Sequence, residues 1–289
     1  MPIALISFEF DPLLQLGDDL VVRWQTVALA AIIAVVLVLS GLLGRGRHLR
    51  ADDLLSIMIG AVPGAVVAGR LGYLALHPEA FAAGPASFID PSVGSLELAT
   101  GVIGGALTAA YVAMLLGTSV RAWAHLVAIP LLVAIGAGKL SMVLGGSGQG
   151  LQSDLSWATA YLGPGPWASL VPELSSHPSQ AYEGVATLAL ATTLALLGWL
   201  GLFQSRDGRL LLVAVGGWAL VRAAVTTSWR DPVMAGPLPA AGWLALVIAV
   251  ACVVLAGLLT IRSRSAVPGS AGRAGDGPAW PDPTTRPQF

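Results

Sequence analysis

Three basic side chains sit inside stretches that otherwise carry almost no charge: Arg70, Lys139 and Arg222, and Lys139 is the single lysine of the chain. A cation at the centre of a membrane helix costs about 2.5–3.5 kcal/mol on insertion scales, so such residues face a protein interior, a cavity or the headgroups. A second concentration of polar side chains, "SSHPSQAYEG" from Ser175 to Gly184, stands at the head of another apolar run. Proline suits the first helical turn because its missing N–H has no partner to lose there. From Pro178 onward, Ser179, Tyr182 and Glu183 fall at helical spacing on one face, and Gln180 shares an edge with Glu183. The segment therefore reads as a helix N-terminus that presents hydrogen-bonding groups to a membrane interface, where a positive helix end also attracts phosphate. The same spacing fits an interfacial cap with Tyr182 as a headgroup anchor.

The elements that must position these residues are membrane helices. The chain has 289 residues, of which 55% are hydrophobic and only 11% charged, against roughly 25% charged in soluble domains. Apolar runs near the ~20 residues that cross a bilayer cover about 24–43, 53–76, 97–116, 123–145, 182–203, 209–228 and 239–261. Continuous runs of this length predict an all-α, seven-helix membrane protein and not a β-barrel of short alternating strands. The start, "MPIALISFEFDPLLQLGDD", is acidic and shows no basic segment or cleavage site, so the first helix is expected to insert as it stands. A single cysteine, Cys252, lies within the seventh run, so no internal disulfide is possible and no metal cluster is suggested.

Charge sets the expected orientation. Arg45, Arg47 and Arg50, then Arg121, then Arg206 and Arg209, then Arg262, Arg264, Arg273 and Arg286 occupy alternate connections. The others hold Glu9, Asp11, Asp18 and Asp19, then Glu79, Asp90 and Glu97, then Asp154 and Glu173. The positive-inside rule places the first set in the cytoplasm, the acidic set and the N-terminus outside, and the C-terminus inside. On that topology Arg70, Lys139 and Arg222 all fall in the outer half, level with Glu183 and with Gly104 and Gly105 of the third run. Each cation singly could snorkel to the headgroups; their common depth, with Glu183 as counter-charge, predicts a polar cavity open to the outer leaflet. Residues 1–261 are expected to form the seven-helix domain, and 262–289, rich in Gly, Pro, Ser and Arg, a disordered cytoplasmic tail.

"HPSQAYE" (His177 to Glu183) closely resembles the HPSQLYE segment of the prolipoprotein diacylglyceryl transferases. Further segments agree in order: "FDPLLQLGDDLVVRWQ", "GRLGY" (Gly69 to Tyr73), "GGAL" (Gly104 to Leu107), "PLLVAIGAGKL" (Pro130 to Leu140) and Arg222 followed by "WRDP". The resemblance implies transfer of a diacylglyceryl group from phosphatidylglycerol to the lipobox cysteine thiol of a bacterial prolipoprotein, with release of glycerol phosphate. It implies a multi-pass protein of the bacterial inner membrane, with phosphatidylglycerol, the lipobox segment and membrane lipid as partners, and no nucleic acid, metal or organic cofactor. The acceptor thiol belongs to the substrate, so such an enzyme needs a basic phosphate site and a group to take the thiol proton. Carried over residue by residue, the catalytic set is Arg222, Lys139, His177, Glu183 and Tyr182. The substrate-binding set is Arg70, Gly69, Tyr73, Gly104, Gly105, Gly138, Ser179 and Gln180.

Departures from the family pattern fall in the same regions. Gln25 stands for a tyrosine, Ile103 for a histidine and Lys139 for an arginine; Met142 replaces an asparagine, Ser147 an acidic residue and Thr226 a glutamate. Lysine keeps the charge but lacks the planar fork that suits phosphate, and Ile103 cannot accept a proton. One alternative is therefore a paralogue that binds phospholipid or precursor without turnover. A transporter is a remoter one, because buried arginines also line substrate paths. "GGSG" (Gly145 to Gly148) matches an intramembrane serine protease pattern, but the fifth to seventh runs carry no histidine to serve it.

Overall fold

The computed structural model describes residues 6–17, 19–45, 49–81, 84–90 and 94–265. Seven helices follow the seven apolar runs: α1 (Trp24–Arg45), α2 (Ala51–Leu76), α3 (Leu98–Leu115), α4 (Val120–Ser141), α5 (Ser179–Trp199), α6 (Arg209–Thr226) and α7 (Ala240–Ser265). Each is long and apolar enough to cross a membrane. A 3-10 turn, Met142–Gly145, extends α4 to the expected end of its run. Asp18, Arg47, the tail arginines Arg273 and Arg286, and residues 266–289 of the expected tail lie outside the described residues.

Short strands, which the runs did not foretell, tie the segments between the helices. β1 (Ile6–Phe8) pairs in parallel with β4 (Thr159–Tyr161); β2 (Leu13–Leu16) and β3 (Leu20–Arg23) form a hairpin; β5 (Val233–Ala235) pairs with β6 (Leu238–Pro239). Every one of these pairs lies at the end of the bundle where α2, α4 and α6 finish.

Small residues set the helix contacts. Lipid tails are as apolar as leucine, so membrane helices associate through close van der Waals packing. A Cβ on Gly104 of α3 would lie 2.4 Å from the Gly64 carbonyl oxygen of α2, and one on Gly64 would lie 2.6 Å from that of Gly104. The two backbones therefore touch. Gly136 of α4 and Gly184 of α5 meet in the same way, each Cβ position 3.0 Å or less from the other's carbonyl oxygen. Gly216 of α6 admits Cys252 of α7. The main core joins α4 to α6 through Ala128, Leu132, Ala214, Trp218 and Ala219, all fully buried, and takes in Ile248, Ala249 and Cys252 of α7. Half of the most apolar window of α6 is buried, against 17% for α1, so α6 is central and α1 peripheral.

Candidate functional site

Four charges from four helices meet where α4 and α6 end and α3 and α5 begin. Glu183, the fifth residue of α5, has no accessible surface. It accepts hydrogen bonds from Lys139 Nζ at 2.8 Å, Arg222 Nη1 at 3.1 and 3.3 Å, and Trp218 Nε1 at 3.2 Å. Arg222 Nη2 donates to Glu97 Oε1 at 2.7 Å, and Glu97 Oε2 caps α3 by accepting from the Thr100 amide at 2.6 Å. Two cations and two carboxylates make the group neutral. Burying a charge is costly, and the pairing offsets that cost only while every member is present.

Some donors in this cluster remain unspent. Arg222 Nε is buried and has no hydrogen-bond partner among the described residues. Lys139 keeps 13% of its side chain accessible, the most open of the four. The Trp229 ring lies 4.7 Å from Arg222 Cζ and 5.6 Å from Lys139 Nζ, a distance at which an aromatic face attracts a cation. The carboxylates of Glu183 and Glu97 draw the two cations into one cluster, of which only Lys139 keeps appreciable access. A cleft of about 400 Å³ lies at the opposite end of α6.

The HPSQ segment does not face outward as expected. Ser179, Gln180 and Glu183 are buried, and Pro178 stands just before the helix as its cap residue. Ser179 Oγ lies 2.7 Å from Ser228 Oγ beyond the end of α6, and Gln180 Nε2 donates to Tyr161 Oη at 3.0 Å. The backbone is pinned as well: Gly150 N donates to His177 O and His177 N to Leu151 O. Residue 150 must be glycine, since a Cβ there would lie 2.2 Å from both Ser179 Oγ and Ser228 O. Burial pushes the Tyr161 hydroxyl up to about 12, although the Gln180 hydrogen bond pulls the other way, so it stays a neutral phenol. His177 and Tyr182 remain half-buried, with Nδ1 3.2 Å from Oη, and Trp157 Nε1 donates to the same Oη at 2.8 Å.

The remaining expected residues make backbone and packing contacts around the cluster. Arg70 does not join the Glu183 cluster through the bonds that hold it: it donates to the carbonyl oxygens of Phe88 and Asp90 at 2.7 Å and of Ser95 at 3.4 Å, and so gathers the α2–α3 connection. The Gly69 carbonyl accepts from the Glu97 amide at 2.9 Å, and the Tyr73 ring packs 4.6 Å from His77 and against Gly94. Gly104 and Gly105 lie in the α2–α3 contact, and the Gly138 carbonyl accepts from Ser141 Oγ. Glu97, read from the sequence as an outward-facing loop acid, is 5% exposed and paired with Arg222. Glu97 caps α3 although glutamate is not among the residues that mark a helix start, so no capping signal singled it out. Arg230 was also missed: Nε donates to Gly150 O and Nη2 to Ser176 Oγ, which clamps the end of α6 to the HPSQ segment.

Two of the departures from the family pattern bond to each other. Ser147 Oγ donates to Gln25 Oε1 at 3.1 Å, so the serine of "GGSG" is engaged by an amide and not by a histidine. Thr226 is buried with Oγ1 donating to Ala223 O, and Ile103 is 37% exposed.

Residues 12–258 match the model of the family described as prolipoprotein diacylglyceryl transferase. Similar proteins carry the name phosphatidylglycerol–prolipoprotein diacylglyceryl transferase. One from Bordetella avium is 30% identical over 271 residues, 90% of this chain and 98% of that protein. One from Trichormus variabilis is 27% identical over 82% of this chain and 86% of its own, and one from Agrobacterium fabrum 26% over 91% and 96%.

Proposed function

The chain belongs to the prolipoprotein diacylglyceryl transferase family, and from that premise we propose that it transfers a diacylglyceryl group from phosphatidylglycerol to the cysteine thiol of a prolipoprotein, at the bacterial inner membrane. The observation that carries this reading is the buried Lys139–Glu183–Arg222–Glu97 cluster, whose cations retain donors for one more anion. The headgroup phosphate is that anion: it takes Arg222 Nε and the free hydrogens of Lys139, and competes with Glu183 and Glu97 for the rest.

In the transfer, the cysteine sulfur forms a bond to the glycerol carbon that carries the phosphate. The carbon–oxygen bond breaks, and its electron pair leaves on glycerol phosphate. Lys139 and Arg222 stabilise the charge that grows on that oxygen, in a site where Trp229 and Trp218 keep water away and raise the value of each interaction. The thiol proton needs an acceptor. Trp157 Nε1 can only donate to Tyr182 Oη, and the hydroxyl hydrogen has His177 Nδ1 within reach. Tyr182 thus hands its proton to His177 as it takes that of the thiol. Glu183, already accepting from Lys139, Arg222 and Trp218, acts as the fixed counter-charge.

The test is the purified protein with phosphatidylglycerol and a lipobox peptide, with the diacylglyceryl thioether as product. Absence of thioether while phosphatidylglycerol still binds would establish a binding paralogue instead.

A further inference from the structure

The cleft opposite the charge cluster has the makings of a separate site. Arg209, at the start of α6, lies 13 residues before Arg222, about 20 Å along the helix at 1.5 Å per residue. Leu202, Phe203 and Val213, with Ala256 of α7, supply the apolar lining of the cleft. Phe203 has a φ of 60°, the left-handed conformation that side chains rarely adopt, and packs against the main core. The rim is polar. Arg209 donates through Nε to Asp207, through Nη1 to Thr260 Oγ1 at 3.3 Å and through Nη2 to Ser205 Oγ at 2.8 Å.

Three anchors hold the guanidinium in one orientation and leave two of its five N–H groups without a partner among the described residues. Arg206 is exposed next to Ser205, and the exposed Arg121 reaches the same end, with its Cα 3.9 Å from the Cβ position of Gly208. Three arginines against the single Asp207 leave this rim positive. An apolar slot beside the membrane-length helices α6 and α7, bordered by a fixed and incompletely used guanidinium, matches an amphiphile with an anionic head.

We propose that this cleft is a second lipid site, which takes an anionic phospholipid from the leaflet at this face, with one acyl chain against Leu202, Val213 and Ala256 and the phosphate on Arg209. It does not depend on the transferase site.

The full chain in lipid nanodiscs, with a phosphatidylglycerol analogue that carries a diazirine in one acyl chain, tests it. Crosslinks are expected on the peptides around Val213 and Ala256. Excess phosphatidylglycerol or phosphatidic acid should compete, and phosphatidylcholine or soluble glycerol phosphate should not. Arg209→Gln should lower the yield about tenfold, the scale of one lost charge-assisted hydrogen bond. Gly257→Leu should do the same by filling the cleft, because a Cβ there meets nothing within 4 Å and the helix is left intact. Both variants keep thioether formation, which reports on the other site. Equal competition by phosphatidylcholine would reduce the contact to ordinary bilayer solvation, and competition by glycerol phosphate to a soluble-phosphate site. Crosslinks that appear only after removal of residues 266–289 would make the tail the occupant. Yields unchanged in both variants would also overturn the proposal.

Discussion

Arg222 and Glu97, 125 positions apart in the chain, meet at 2.7 Å in a site where each side chain is 4% accessible. Through this one contact α3 is joined to the cluster that α4, α5 and α6 share. Removing one partner of such a pair strands the other charge, a loss of roughly 3–5 kcal/mol in buried pairs. Glu97→Ala should therefore lower the thermal midpoint strongly in detergent, and Glu97→Gln less, because the amide oxygen still caps α3. Equal midpoints for Glu97→Ala and the unmodified chain would show that the pair does not hold α3.

Lys139 and Arg222 should differ in what replaces them. Arg222→Gln is expected to cut thioether formation by about 10²–10³, the usual effect of removing one donor to a developing charge. Lys139→Gln should fall into the same range, while Lys139→Arg should stay within about tenfold of the parent, since its guanidinium keeps the charge and adds a fork suited to phosphate. The rate of thioether formation from a fixed lipobox peptide decides between them.

The hydroxyl relay predicts non-additive losses. Tyr182→Phe and His177→Gln interrupt one path, so the double variant should be no slower than the worse single one. Losses that multiply would assign the two side chains separate tasks.

Tyr161 makes a prediction about alkaline pH. Its folded value is raised to about 12 from the ordinary 10, so between those limits the folded chain holds a proton that the unfolded chain has released. Stability from this group is complete below pH 10 and declines as pH rises toward 12. The last phenolate to appear in an absorbance titration should vanish in Tyr161→Phe, and that variant should lose this part of the alkaline decline.

Gly150→Ala tests the packing of the HPSQ segment. The added methyl meets Ser179 Oγ and the Ser228 carbonyl oxygen, both at 2.2 Å. Overpacking of this kind costs about 1–3 kcal/mol, so the thermal midpoint should drop and thioether formation with it. An unchanged midpoint would show that the segment shifts freely.

The seven helices were legible because each is one uninterrupted apolar run, and Lys139, Arg222 and Glu183 because a charge in such a run has no other use. Depth along a helix could be counted, and it brought these three together correctly. Direction around the helix could not: Arg70 lies at the same end but turns to the carbonyls of residues 88, 90 and 95. Glu97 was hidden by its neighbours, since an acid at the edge of a run, near Glu79 and Asp90, reads as an ordinary loop charge. The strands are two to four residues long, too short for any alternation to stand out. The Gln25–Ser147 bond joins positions 122 apart, and only the fold shows that the two departures from the family pattern answer each other.

The touching backbones of α2 and α3 bear on how the charge cluster is braced. With Gly64 and Gly104 in contact and Thr108 hydroxyl-bonded back to the Gly104 carbonyl in the same groove, α3 cannot slip along α2. Glu97, at the head of α3, thus ties this pair of helices to Arg222 of α6 as one packed unit. A force that displaces either helix of the pair is carried by both, and reaches the charge cluster through a single salt bridge.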